Sequence, residues 1–306
     1  MPSPDIIAIG EPLFELNQPK GETIFRPGHG GDTSNAAIAA ARQGASVGYL
    51  TAIGADQFGE SFMSLWEAEG VDTSAVVRSQ TAHTGLYFVT HGPDGHVFSY
   101  LRAGSAASRL TPQDVPADMI KAARIVHASG ISQAISSSAA DAVFTAIRTA
   151  RGAGVTVSYD TNLRLRLWPL DRARAVIHAA AALADILRPS IDDAMHLTGL
   201  ADADRIADFY LDLGPKIVAL TLGGGGALIA TRERREKIEA WPARLVDATG
   251  AGDMFTGAFL AEYLGTGDPF VAARYANVAA ALSTEGYGAV DPMPRRAEVE
   301  AALRKR

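Results

Sequence analysis

Short apolar runs alternate with longer alanine-rich segments along most of the chain. Runs rich in Val, Ile and Leu are typical of buried strands, whereas apolar residues spaced three and four positions apart predict helices. The predicted strands span residues 5–10, 46–54, 124–130, 155–160, 185–190 and 216–223. The predicted helices span residues 34–44, 58–70, 136–154, 171–184, two segments near 191–213, and 254–264. This order predicts βαβ units in which helices cover a mainly parallel sheet.

Three of the predicted helices are followed by glycine, at Gly44, Gly70 and Gly154. A helix commonly ends in a left-handed residue, and glycine adopts that conformation without steric cost. These positions therefore support the predicted helix ends.

Two stretches depart from the alternation, at residues 11–29 and 84–103. Both show period-two patterning around turn signals such as GPDG at 92–95, which predicts hairpin strands. We expect these strands to form a small sheet that lies over a ligand site as a lid. The alternative is an edge extension of the main sheet. A third hairpin at 226–242 has a charged tip that predicts a solvated turn.

Composition narrows the class of protein. The chain has 306 residues, of which 47% are hydrophobic and 20% charged, with a net charge of −6 and no cysteine. This is the composition of an acidic globular protein, without the basic excess that holds a nucleic-acid backbone. Without cysteine there is no disulfide, thiolate metal site or cysteine nucleophile, which fits a reducing compartment.

No signal-like N-terminus or long apolar run occurs in the sequence,. We therefore expect a cytoplasmic protein without membrane or nucleic-acid partners. Residues 1–306 contain no internal repeat or low-complexity linker, and we expect them to form a single domain.

The stretch DATGAGDMFTG at residues 247–257 combines glycines with a lone acid at a predicted helix start. Gly250 and Gly252 let backbone amides turn toward a ligand, and a helix N-terminus attracts anions. Asp253 in that position is suited to accept a proton from a hydroxyl that attacks a phosphoryl group. From the residues alone, a tight turn with an acid that interacts with the helix dipole is equally consistent.

Two further glycine clusters carry weaker signals. The run TLGGGGALIA at 221–230 lacks the Lys-Ser/Thr of a P-loop, and either a nucleotide-phosphate loop or a hairpin entry fits it. Gly30 and Gly31 precede the polar residues 32–35 at a predicted helix start. Those polar residues either cap the helix or approach a small polar ligand.

Taken in order, these motifs resemble the signature regions of the ribokinase-like (PfkB) sugar kinases. The matching stretches are residues 30–44, 52–60, 247–264 and 276–282. The resemblance implies a three-layer αβα core with a mainly parallel sheet, a small β-sheet lid, and phosphorylation of a hydroxyl that depends on ATP and Mg²⁺. It implies that Asp253 is the catalytic base and that Gly250, Ala251 and Gly252 form the anion hole.

Within that family, the stretches 84–89, 100–108, 127–132 and 159–168 resemble the 2-keto-3-deoxygluconate kinases. The resemblance implies a sugar-acid substrate surrounded by Tyr87, Tyr100, Arg102 and Arg164, with Gly31, Asn35 and Ile131 lining the sugar pocket. A carboxylate substrate needs cationic donors, preferably the fork of an arginine. The alternatives are solvated arginines and tyrosines that merely pack in the lid.

On the nucleotide side the resemblance implies contacts to ATP from Asn162, Ser190, Thr221, Gly223, Gly225, Gly226 and Asn277. It implies Asp193 as a water-mediated ligand of Mg²⁺, and Asp247 and Thr249 as ligands of a monovalent cation such as K⁺. An amide on a helix surface is the alternative for Asn277.

Two departures from the family pattern keep alternatives open. Ser190 and Asp193 replace the usual Asn and Glu, which weakens the predicted hold on Mg²⁺ or phosphate. Glu15 lies where neutral-sugar kinases place an Asp against substrate hydroxyls, so a fructokinase or ribokinase remains an alternative. The sequence motifs do not distinguish between the two epimeric keto acids derived from gluconate and from galactonate as the substrate.

Other classes of protein fit less well. A sugar sensor without activity would not need Asp253 behind its glycines, and a nicotinamide-dependent dehydrogenase would need a glycine-rich turn after the first strand. We expect a homo-oligomer, because the lid strands offer edges that a partner subunit would cover.

Overall fold

The computed structural model describes residues 3–19, 21–92 and 95–305. The strands are β1 (Ile6–Ile9), β2 (Leu13–Asn17), β3 (Arg26–Gly30), β4 (Val47–Gly54), β5 (Val76–Ser79), β6 (Leu86–Gly92), β7 (Gly95–Leu101), β8 (Ile125–Ser129), β9 (Thr156–Asp160), β10 (Ile186–Arg188), β11 (Ile217–Thr221), β12 (Ala227–Ala230) and β13 (Arg235–Ile238). The helices are α1 (Asp32–Arg42), α2 (Gln57–Ala68), α3 (Ala117–Ala122), α4 (Gly130–Ala134), α5 (Ser137–Gly152), α6 (Leu170–Ala181), α7 (Ile191–Thr198), α8 (Ala203–Leu213), α9 (Ala251–Thr266), α10 (Pro269–Ser283) and α11 (Arg296–Arg304).

The main sheet has nine strands in the order β13-β12-β11-β10-β9-β8-β1-β4-β5. Only the pairs β11–β12 and β12–β13 are antiparallel; the other pairs are parallel. All eight residues of β4 are buried. A strand covered on both faces is apolar throughout. The predicted mainly parallel sheet is confirmed.

Helices cover both faces of this sheet. Along β1, Ile6 and Ala8 pack into one buried cluster, which includes residues of α1, α2, α9 and α10. Ile7 and Ile9 pack into the opposite cluster, with residues of α5, α6, α7 and α8. Successive strand side chains point to opposite faces. The three-layer αβα core expected from the sequence is therefore present.

A second, separate sheet has the order β3-β2-β6-β7, and we call it the lid sheet. Strands β2 and β6 pair in parallel, while β3 and β7 flank them as antiparallel edge strands. It is not an edge extension of the main sheet. Strand β3 ends at Gly30, one residue beyond the predicted range. Residues 93 and 94 of the predicted GPDG turn lie outside the described residues.

The helix ends agree with the glycine signals. Gly44, Gly70 and Gly154 adopt φ of 90°, 71° and 75°, each shortly after a helix. The elements that the sequence patterns did not assign are β5, α3, α4, α10 and α11. No helix in the described part of the chain is both long and apolar enough to cross a membrane.

A substitution at Ile38 tests whether α1 packs between the sheet and the helices outside it. This side chain is fully buried. We expect Ile38→Ala to lower the free energy of unfolding by about 2–5 kcal/mol, because it removes buried methyl groups and leaves a cavity. Urea denaturation followed by circular dichroism measures this. Leu245→Ala is the control, because Leu245 is 70% exposed; its unfolding free energy should change by less than about 0.5 kcal/mol. Equal losses in the two variants would contradict the assignment of Ile38 to the core.

Candidate active site

The helices α1 and α9 begin side by side at the carboxyl edge of the parallel strands. Asn35 in the first turn of α1 donates from Nδ2 to Oδ2 of Asp253 over 2.8 Å. Asp253 lies in the first turn of α9, 218 positions further along the chain. Gly31 precedes α1 with φ of 104°, and a Cβ there would lie 2.3 Å from the Glu11 carbonyl oxygen. The two glycine motifs thus meet at one site.

The start of α9 lacks a side-chain cap, and the N–H of Ala251 donates to the carbonyl oxygen of Ala248 over 3.2 Å. Gly250 adopts the left-handed conformation with φ of 77°, and no side chain caps the helix. A Cβ on Gly250 would lie 2.7 Å from the Ala289 carbonyl oxygen, so only glycine fits. Ala251 and Gly252 follow as the first helical residues. Uncapped N–H groups at a helix start, together with the helix dipole, favour the binding of an anion.

Burial changes the chemistry of Asp253. Burial, reinforced by the nearby charge of Asp32, raises the pKa of Asp253 from 3.8 to about 7, although Asn35 and Arg188 act in the opposite direction. A carboxyl group that titrates near neutral pH is suited to general base catalysis.

Arg188 also reaches this turn, and no sequence signal indicated it. It ends β10, and its Nη2 forms an ion pair of 2.8 Å with Oδ2 of Asp160 at the end of β9. Its Nε donates to Oγ1 of Thr256 in α9 over 3.1 Å. The available signal was its place at the carboxyl end of a parallel strand, where ligand sites of α/β proteins lie.

The loop after β9 donates hydrogen bonds to two acidic residues, Asp32 on α1 and Asp193 on α7. Asn162 adopts the left-handed region with φ of 28° and donates from Nδ2 to Oδ2 of Asp32 over 2.7 Å. The N–H of Leu163 donates to Oδ2 of Asp193 over 3.0 Å. Burial raises the pKa of Asp160 to about 6, against the opposing charge of Arg188. Asn162 and Asp193 are therefore held close to the start of α1.

The predicted tyrosines and Arg102 lie together on the lid sheet. The hydroxyl of Tyr87 donates to Oε2 of Glu15, and the rings of Tyr87 and Tyr100 stack with centroids 5.8 Å apart. The Arg102 guanidinium carbon lies 5.5 Å from the centre of the Tyr100 ring. Arg102 also pairs through Nη2 with Glu11, a carboxylate that sequence reasoning had not singled out.

Glu11 is almost fully buried and accepts a second hydrogen bond of 3.0 Å from the Ser105 hydroxyl. Burial raises the pKa of Glu11 in spite of Arg102. One amino group of the Arg102 guanidinium, Nη2, is thus occupied by the carboxylate of Glu11. Arg164, by contrast, is exposed, and its Nη1 donates to the carbonyl oxygen of Leu163 over 2.8 Å. Ile131 is half-buried in α4.

The residues predicted for the nucleotide lie along the ends of β10 and β11. Thr221 forms a β-bridge with Ser190, whose hydroxyl caps α7 by accepting from the Asp193 N–H over 3.2 Å. Gly223 and Gly225 form a tight turn that leads into antiparallel β12. A Cβ on Gly226 would lie 1.9 Å from the Ile238 carbonyl oxygen. The run of glycines is therefore a hairpin entry in this fold.

Asn277 and the predicted cation ligands lie on the other side of α9. Asn277 in α10 donates from Nδ2 to the carbonyl oxygen of Glu239 over 2.9 Å. The Thr249 hydroxyl donates to Oδ1 of Asp247 over 2.7 Å, and the Gly288 N–H donates to Oδ2 of Asp247 over 3.0 Å. These contacts tie the turn before α9 to the loop after α10.

A cavity of about 630 Å³ separates the lid sheet from these loops. It is lined on the lid side by Glu15, Asn17, Pro19, Arg26, Pro27, Gly28, His29, Val89 and Phe98, and on the core side by Val246, Asp247, Thr249 and residues 287–291. The space between the lid sheet and the core is therefore large enough for a small ligand.

A parallel αβα core with a lid sheet, and an acid in the first turn of an uncapped helix, define a ribokinase-like sugar kinase. Residues 5–296 match the family model described as pfkB family carbohydrate kinase, and the chain belongs to that family. The fold and enzyme class expected from the sequence are thereby confirmed.

Relatives within the family act on more than one sugar. The 2-dehydro-3-deoxygluconokinase of Bacillus subtilis (strain 168) is 34% identical and covers 98% of this chain and 95% of its own length. The enzyme of that name from Thermoproteus tenax is also 34% identical, covering 96% and 93%. Probable fructokinase-5 of Arabidopsis thaliana is 31% identical, covering 99% and 98%.

Among solved structures, a protein provisionally named ribokinase II from E. coli, in complex with ATP and Mg²⁺, aligns with a TM-score of 0.92. It is 27% identical and covers 99% of this chain and 100% of its own. The likeness thus extends over the whole fold, including the lid sheet.

Gly250 tests the shape of the anion-binding turn. We expect Gly250→Ala to lower kcat at least about tenfold, because a misplaced catalytic group is costly. It should also destabilise the protein by about 1–2 kcal/mol, because alanine disfavours the left-handed region. Steady-state kinetics and urea denaturation measure the two effects. Gly265→Ala, in the same helix and with open space around its Cβ, should keep kcat. A wild-type kcat in Gly250→Ala would argue against the anion hole.

Proposed function

We propose that the chain phosphorylates the terminal hydroxyl of 2-keto-3-deoxygluconate (also named 2-dehydro-3-deoxygluconate), with ATP as the phosphoryl donor. The observation that carries the proposal is the hydrogen bond between Asn35 and Asp253 beside the uncapped start of α9. It supports a site where an acceptor hydroxyl, a base and an anion hole meet. The two keto-acid kinases among the relatives favour this acceptor.

In the proposed reaction, Asp253 accepts the proton of the acceptor hydroxyl. The acceptor oxygen forms a bond to the γ-phosphorus of ATP as the bond from that phosphorus to the β–γ bridging oxygen breaks, and ADP leaves. The amides of Gly250, Ala251 and Gly252 stabilise the charge on the transferring phosphoryl group. Closure of the lid sheet excludes water, which would otherwise compete with the sugar as acceptor.

The proposed nucleotide contacts run from Asn162, Ser190 and Thr221 through Gly223, Gly225 and Gly226 to Asn277. Within the described residues no cluster of three or more His, Asp or Glu side chains is arranged to hold a metal ion directly. That agrees with Mg²⁺, which keeps several waters and is held mainly by substrate phosphates.

Asp193 suits a water-mediated contact to Mg²⁺, because Leu163 occupies one of its two carboxylate oxygens. Bound there, Mg²⁺ would neutralise phosphate charge. Asp247 and Thr249 supply oxygen ligands of the kind a monovalent cation such as K⁺ needs. Cytoplasmic localisation and assembly into a homo-oligomer stay predictions.

On the acceptor side, we propose that Arg102, Arg164, Tyr87 and Tyr100 surround the carboxylate while Gly31, Asn35 and Ile131 line the sugar pocket. An arginine has five N–H donors, so Arg102 keeps donors for a ligand beyond its bond to Glu11,. The alternative acceptor is a neutral sugar such as fructose or ribose. Glu15 on the lid sheet and the fructokinase relative favour that alternative.

The pH dependence tests Asp253 as the base. A base must be ionised, so kcat/KM of the wild type should fall about tenfold per pH unit below the pKa of about 7,. Asp253→Asn should lower kcat about 10²–10⁴-fold while ATP still binds. A coupled assay for ADP and calorimetric ATP titration measure these quantities. Undiminished turnover in Asp253→Asn would refute the assigned base.

Ionisation of Asp253 should also lower the stability of the folded protein, although the same ionisation is needed for catalysis. Because folding raises the pKa of Asp253 from 3.8 to about 7, the folded state binds more protons between these values, and stability falls as pH rises through them. Asp253→Asn should therefore be more stable than the wild type at pH 8, and the difference should disappear below about pH 4. Melting temperatures across this pH range provide the measurement.

Arg164 tests the acceptor without disturbing the core, because its side chain is exposed. We expect Arg164→Ala to raise KM for 2-keto-3-deoxygluconate about 10–100-fold, since a charge-assisted hydrogen bond is lost. Its kcat/KM for fructose and ribose should not change. Arg172→Ala, an exposed arginine on α6, is the matched control. A wild type that prefers fructose or ribose, with no effect of Arg164→Ala, would favour the neutral-sugar alternative.

A further inference from the structure

Arg188 lies directly beneath the turn that binds the anion. It is only 8% exposed. A Cβ on Gly252 would lie 2.5 Å from Arg188 Nη2, so the guanidinium packs against the backbone of the anion hole itself. Thr256 extends this contact, because its hydroxyl accepts from Arg188 Nε and donates to the carbonyl oxygen of Gly252 over 3.0 Å. Arg188 is thus bonded to α9 through Thr256 and packs against Gly252 in the first turn of that helix.

The ion pair with Asp160 fixes the other end of the guanidinium. Asp160 is 2% exposed, and its carboxylate also accepts from the N–H of Asn162 over 3.1 Å. Burying an arginine and an aspartate is costly even when they pair, and apolar residues would often serve stability equally well. A buried cation placed against an anion hole therefore calls for a reason beyond packing.

We infer that Arg188 is a positioning residue for phosphoryl transfer, whose buried positive charge holds the first turn of α9, and with it Asp253, in place beneath the transferring phosphate. The part concerning Asp253 rests on the proposed function. Asp160 serves in this arrangement as the counter-ion that keeps the guanidinium oriented.

Charges from several elements act on Asp253. Asp32 on α1 and Asp160 on β9 favour its protonated form, whereas Asn35 on α1 and Arg188 on β10 favour its ionised form. Tyr87 on the lid sheet also lies within electrostatic range of Asp253. Arg188 is the cation among these groups, so its loss leaves carboxylates that repel one another.

The experiment must distinguish a role of Arg188 in phosphoryl transfer from a role in stabilising the fold alone. Arg188→Met alone leaves Asp160 buried without its partner and is expected to destabilise the fold. The informative variant is therefore the double substitution Arg188→Met with Asp160→Asn, which removes both charges together. Arg188→Lys keeps the charge but loses the fork.

A second buried ion pair provides the matched control. Arg42 at the end of α1 pairs with Glu69 over 2.7 Å, and the two side chains are 10% and 8% exposed. Those of Arg188 and Asp160 are 10% and 2% exposed. Glu69→Gln removes the counter-charge of Arg42 and leaves the hydrogen bonds of Arg42 Nη1 to the carbonyl oxygens of Val290 and Met293 in place, so it should lower stability but leave kcat and its pH profile unchanged.

Compared with Asp160→Asn alone, we expect the Arg188/Asp160 double variant to lower kcat about 10–100-fold with little change in KM, and to move the acidic limb of kcat/KM upward by about one pH unit. Asp160→Asn is the reference because the Asp160 carboxylate itself favours the protonated form of Asp253. Arg188→Lys should recover part of kcat. Carboxyl ¹³C NMR, with the Asp253 signal assigned from Asp253→Asn, should show the same upward move in the protein without ligands. A double variant that folds and has both the kcat and the titration of Asp160→Asn would overturn the inference.

Failure of the proposed function gives a different result. If the wild type phosphorylates fructose or ribose rather than the keto acid, the acceptor assignment is wrong, but the Arg188/Asp160 variant should still lower kcat with that sugar. The NMR titration needs no substrate at all. A titration of Asp253 that is the same in Asp160→Asn and in the folded double variant contradicts the role of Arg188 whatever the acceptor.

Discussion

The close packing of α1 against α9 is the constraint on which the site depends. A Cβ on Gly257 would lie 2.4 Å from the carbonyl oxygen of Ala36 and 2.5 Å from Cβ of Ala39. Only glycine in α9 and small residues in α1 let the two backbones approach this closely. The approach places Asn35 within hydrogen-bond distance of Asp253. Each helix contributes an N-terminus, so the anion hole and the acceptor pocket that we propose lie next to each other.

The site concentrates polar groups that the rest of the core avoids. Within the part of the chain that the structure describes, Oδ1 of Asp32 and Oδ1 of Asn35 are buried without a hydrogen-bond partner. Unpaired acceptors and a carboxylate in a buried position lower stability, and such violations of local rules are expected where function requires them. The pairs Arg102–Glu11 and Arg188–Asp160 add two further buried pairs of charges to this region.

How much of the fold and of the candidate site can be predicted from the sequence depends on whether each feature is a local pattern or a contact between distant segments. The βαβ order and the turn at Gly250 are local patterns, and both could be predicted. Helix α10 is alanine-rich and apolar on most sides, so its periodicity is weak. The partners of Arg102 and Arg188 come from distant strands, and no local pattern specifies which carboxylate a buried arginine will face. Glu11 and Asp160 therefore emerged only from the structure.

The parallel pairing of β2 with β6 also bears on how the protein folds. Glu15 stands opposite Tyr87, 72 positions further along the chain. Parallel strands need a long crossover, and closing such a loop precedes the contacts that reward it. The pairing of β2 with β6 therefore closes a long loop that contains α1, β4, α2 and β5. A substitution that destabilises β4, α2 or β5 should therefore also weaken the lid sheet, although these three elements contribute none of the candidate site residues.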